Sequence, residues 1–82
     1  MTVRLNDDGA IELSGRCGVE AAEVLQRHLL DRPGSAVDWT RCEHLHSAVI
    51  QVLLVGRPEL RGLPKDTFLR THIAPLMERT VE

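Results

Sequence analysis

Residues 48–55, Ala-Val-Ile-Gln-Val-Leu-Leu-Val, hold one polar side chain, Gln51, in a chain of only 82 residues. The run is far short of the roughly 20 apolar residues a helix needs to cross a bilayer, so its surface has to be covered by a small domain or by a partner. Gly56 and Pro58 close it. A helix apolar nearly all round lies sandwiched against a sheet or presents apolar surface for docking. Ser47 stands where an N-cap is expected, its hydroxyl accepting from the open amides of the first turn.

The upstream segments supply the sheet. Residues 2–5 and 10–14 read as strands joined by Asn-Asp-Asp-Gly, whose Asp-Gly step suits a tight turn. Val3 and Leu5 share one face, as do Ile11 and Leu13, which predicts a hairpin with one buried side. Ser-Gly-Arg-Cys-Gly then supplies flexible backbone ahead of an amphipathic helix at 19–31. Ala21, Ala22, Leu25 and Leu29 lie on one side of that helix and Glu20, Glu23, Arg27 and Asp31 on the other. Arg-Pro-Gly-Ser breaks it, and 36–39 follows as a short central strand before a polar loop reaching to 47. The proline-rich stretch 57–65 reads as a loop. In a last helix Leu69, Ile73, Leu76 and Met77 form the packing stripe. Pro75 forces a kink or a fresh start there, because its ring would clash with the carbonyl of Thr71.

Composition narrows the function classes. The aromatic residues are Trp39 and Phe68 alone, so the core is aliphatic. Ten basic against twelve acidic residues, a formal charge of −2, leave no footprint for nucleic acid, although nine of the ten basic residues are arginine. No apolar h-region opens the chain, so the expectation is a cytoplasmic protein without direct membrane insertion, in which Cys17 and Cys42 stay reduced. Residues 1–82 are expected to form a single domain with little room for a catalytic cleft, and no cofactor is implied.

The order of these elements, with the stretch 37–54, resembles a STAS domain, the module of anti-sigma factor antagonists and sulfate-transporter tails. Val37, Asp38, Trp39 and Thr40 match the family's strand end. His46, Ser47, Ala48, Val49 and Ile50 match the helix-opening motif, and Leu53 and Leu54 the leucines after it. Ile-Glu-Leu-Ser-Gly at 11–15 looks like the early strand and turn, and 19–29 like the first helix. The likeness covers roughly residues 3–57. His46 stands where the family usually has Asp, Val49 where it has Gly, and the strand normally following the apolar helix is replaced by the proline-rich loop. The C-terminal part, from about residue 58, is divergent.

The resemblance implies a small α/β layer, with a short mixed sheet of three or four strands and helices packed on one face. It also implies a non-catalytic bacterial signalling module that docks an anti-sigma factor or kinase-like regulator through the loop and helix at 38–56. The contact set would be Asp38, Thr40, His46, Ser47, Val49, Gln51 and Val52, and Ser47 would be the phosphorylation candidate. A phosphate at a helix N-terminus meets open amide donors and the positive end of the macrodipole, and its charge turns a docking face into a release switch. Asp38 would orient that serine or hold a metal with the partner's nucleotide.

Other readings stand beside this one. On the plainer reading Ser47 is only a cap and Asp38 only a strand-end carboxylate accepting from loop amides. Within the family, the chain would alternatively be an accessory subunit of a lipid-transport ATPase. Cys42, His44 and His46 alternate, so an extended segment would carry them on one face. With Cys17 they would make a zinc-type donor set and a metal-responsive module. Cys17 or Ser47 as nucleophile with His44 or His46 as base is the catalytic reading. Thin cores of this size are often completed by self-association, which makes a homodimer through the C-terminal helix the natural oligomer.

Overall fold

The computed structural model describes residues 2–78. The chain opens with β1 (Val3–Leu5) and β2 (Ile11–Cys17), antiparallel in the register Val3↔Leu13 and Leu5↔Ile11. Gly9 in the turn adopts φ +89°, a conformation with little cost only for glycine, and the Asn6 N–H donates to the Ala10 carbonyl at 2.8 Å to close it. Helix α1 (Val19–Asp31) follows, with Ala21, Ala22 and Leu25 in the core. The turn after it is held by Ser35 Oγ donating to the Arg32 carbonyl at 2.8 Å. β3 (Val37–Leu45) runs parallel to β2, and α2 (Ser47–Gly56) returns alongside α1. α2 ends at Arg57, which takes a left-handed conformation ahead of Pro58.

β4 (Leu60–Arg61) lies parallel to β3 through the pairs Val37↔Leu60 and Asp38↔Arg61. The stretch read as a loop therefore contains a strand. Pro58 and Pro64 flank these two residues without interrupting them, so neither proline removes a ladder hydrogen bond. The strands stand in the order β1-β2-β3-β4, giving a four-stranded mixed sheet with three helices, as the α/β layer expectation required.

β3 is nine residues long, and the expected polar loop is its second half. Between Glu12↔Asp38 and Ser14↔Arg41, β3 advances three residues to β2's two; between Gly15↔Cys42 and Arg16↔His44 it advances two to one. Each bulge inserts one residue and flips the pleat. The buried positions consequently fall at Val37, Trp39, Cys42 and Leu45.

These side chains join Ile11, Leu13, Cys17, Leu25, Val49 and Leu53 in one core. The opposite face of the sheet carries the cross-strand row Arg4, Glu12, Asp38 and Arg61. Glu12, only 8% exposed, is satisfied by Arg4 Nε at 3.0 Å, with Arg41 Nε at 3.7 Å. One face of the sheet is thus packed and the other is solvated and charged.

At the C-terminal end a wide π turn (Leu69–Ile73) leads into α3 (Ala74–Glu78). The Ala74 N–H reaches back five residues to the Leu69 carbonyl, opening the helix ahead of Pro75, whose ring a regular turn would drive into the Thr71 carbonyl. The extra residue shifts the inward stripe to Leu69, Ile73, Ala74 and Met77, leaving Leu76 exposed. The expected stripe is corrected at that position.

Candidate docking site around the second helix

Leu45 is the last buried position of β3. The next residue turns the chain into α2, its own N–H donating to the Cys17 carbonyl at 2.9 Å. That residue, His46, is the N-cap: its φ and ψ are −62° and 149°, and its Nδ1 accepts from the Ala48 N–H at 3.0 Å. Ser47 is instead the first residue of the helix, exposed, with its hydroxyl uncommitted to the cap. The expected serine cap is corrected because the bulged strand runs to Leu45 and leaves His46 the only residue with capping backbone.

The remaining contact candidates separate. Val49 has no exposed surface and sits in the core, so it is not available to a partner. Gln51 is exposed and Val52 half-buried. Both line a groove between the C-terminal halves of α1 and α2, together with Leu29, Leu30, Val55 and Pro58. Leu30 and Val55 are 73% and 81% exposed. Sequence reasoning missed both, although Leu30 falls outside the inward stripe of α1 and was visible as a misfit on that ground.

Asp38 and Thr40 lie at the beginning of β3, and His46 and Ser47 beyond its end. Seven strand steps separate Asp38 from Leu45, on the order of 20 Å. The two pairs do not form one site, and Asp38 does not orient Ser47. Asp38 Oδ1 accepts from the Thr40 N–H at 3.0 Å and the Thr40 hydroxyl at 2.7 Å. These bonds, the amide's first, hold its carboxyl below the usual carboxylate range, with Arg61 and Arg41 adding favourable charge.

The Cys42, His44 and His46 set is likewise dispersed. The second bulge puts Cys42 in the core and His44 outside, while the His46 ring nitrogen is engaged with Ala48. Among the described residues no three His, Cys, Asp or Glu side chains converge as metal ligands. Cys17 is also fully buried, so it offers no exposed nucleophile. Cys17 opposes Leu45 in the ladder while Cys42 opposes Gly15, a diagonal relation, and both thiols are free. The neighbouring Cys17 thiol, then burial, push the Cys42 thiol far above its ordinary range, and Cys42 Sγ–H donates to the His44 carbonyl at 3.5 Å.

The fold therefore defines a hairpin-led α/β domain. Its site features are an exposed hydroxyl on the first turn of α2 and an apolar groove farther along the same helix. No described helix is long and apolar enough to cross a membrane. Comparison with protein-family models, with curated proteins and with solved structures finds no match.

Proposed function

We propose that this protein is a non-catalytic recognition module of the STAS type in bacterial cytoplasmic signalling. It docks an anti-sigma factor or kinase-like regulator through the first turn of α2 and the α1–α2 groove. The observation that carries the reading is the exposure of Ser47 at the first position of α2, directly after β3. A dianionic phosphate there meets the amide end of the helix and adds repulsion or desolvation cost to any partner seated on that turn. β4 supports the resemblance, since it supplies the strand that the family has after the apolar helix. The contact set becomes His46, Ser47, Gln51 and Val52, with Leu30 and Val55 added. Asp38 and Thr40, about 20 Å away along β3, fall outside it.

The test pairs the protein with its host's anti-sigma-type kinase and ATP, followed by intact mass and calorimetric binding. One phosphate on Ser47 is expected, with affinity weakened at least tenfold by Ser47→Asp and by Val55→Asp. An active kinase that leaves Ser47 unmodified removes the switch, and wild-type affinity in both variants removes the docking face.

A further inference from the structure

We propose that this protein pairs with a second copy of itself through the groove between α1 and α2, about a two-fold axis that runs along the groove and sets each α1 over the other copy's α2. The two helices return from the parallel strands β2 and β3 and so point the same way. Their ends lie together: a Cβ on Gly56, the last residue of α2, would stand 3.1 Å from Leu29 Cδ1 near the end of α1. Counted back from those ends, Leu30 and Val55 are each one residue in, and Gln26 and Gln51 each five. Each helix therefore presents the same pair on the groove: an exposed amide and, one turn later, an aliphatic side chain, 73% exposed at Leu30 and 81% at Val55.

That repetition selects both the occupant and its orientation. With the axis along the helices the levels are kept, so Leu30 meets the other copy's Val55 and Gln26 meets its Gln51. Aliphatic closes on aliphatic, and amide on amide, each amide carrying donors and an acceptor for its counterpart. An axis across the helices would reverse the order and set amides on the aliphatic layer. Charge points the same way, because an isologous contact brings a surface against its own copy and a concentrated charge against itself. α2 has no charged residue from Ser47 to Gly56. Among the described residues lining the groove the charged ones, Arg57 and Glu59, lie past the end of α2 and are opposite in sign. The C-terminal segment, expected from the sequence to be the interface, instead exposes Arg70 and His72 between Phe68 and Leu76. Helices about 10 Å across and, for α1, about 20 Å long give a footprint of about 400 Å², the small end of specific interfaces. A dissociation constant of about 10–100 μM is expected from a contact of that size.

The dimer covers Leu30 and Val55, so a regulator seated in the groove competes with it, but the self-association itself does not depend on that reading. Sedimentation velocity of the chain alone, from about 10 μM to 1 mM, is expected to show a monomer–dimer equilibrium. Val55→Asp and Gln51→Glu, both at exposed positions, are each expected to raise the dissociation constant at least about tenfold while the urea midpoint stays near that of wild type. Leu76→Asp is expected to leave it unchanged. Leu30→Cys and Val55→Cys chains, mixed, are expected to be joined by a short bismaleimide more readily than either chain alone. A monomer throughout the range, a dimer untouched by both groove variants or lost in a folded Leu76→Asp, or cross-linking only within each cysteine variant alone overturns the proposal.

Discussion

Gly62 joins the short β4 to the bulged start of β3, and replacing it with alanine tests that junction directly. Its φ is +73°, and a Cβ built there would overlap Thr40 Cγ2. Left-handed backbone costs a non-glycine residue roughly 1–2 kcal/mol, and steric overlap typically adds about 1–3 kcal/mol. Thr40 cannot turn aside freely, because its hydroxyl donates to Asp38 at 2.7 Å. The Gly62 carbonyl also accepts from Trp39 Nε1 at 2.8 Å, so a shifted backbone would strand a buried indole donor. The expected loss for Gly62→Ala is about 2–4 kcal/mol. Urea denaturation followed by the fluorescence of Trp39, the sole tryptophan, reads this as a midpoint lowered by about 1 M or more. Thr40→Ser removes the overlapping methyl and keeps the hydroxyl, so in that background the same substitution is expected to cost about 1–2 kcal/mol less. A loss below about 0.5 kcal/mol, or costs that simply add in the double variant, would refute the argument.

Two further outcomes probe the packing and the electrostatics. Leu53, buried on α2, is expected to lose about 3 kcal/mol on truncation to alanine. Val55→Ala on the same helix is expected to change stability by less than about 0.5 kcal/mol; comparable losses at both positions would mean that the helix faces the sheet differently. The Asp38 carboxyl, held low by Thr40, contributes stability that is present above its ordinary value and is lost as pH falls below about 4 toward the folded value. Asp38→Asn is therefore expected to flatten the decline of the urea midpoint in that acid window, and an unchanged slope would show that the Thr40 bonds do not discriminate the ionised form.

The sequence by itself determined the elements whose signals are local. α1 is legible from its 3.6-residue stripe and its Pro-Gly stop, α2 from an apolar run closed by Gly56 and Pro58, and the hairpin from Asp-Gly. Tertiary structure decided the rest, because each remaining feature depends on a neighbour distant in sequence. The length of β3 was hidden by two bulges, which break the period-2 pattern and exist only in register with β2. β4 has two residues and no pattern of its own, and the edge of β3 supplies its partner. Where β3 ended then decided that His46 and not Ser47 caps α2. On a helix apolar all round, periodicity cannot say which side is inside: Val49 and Val55 are the same residue type, and only the position of the sheet makes one the core and the other a groove wall.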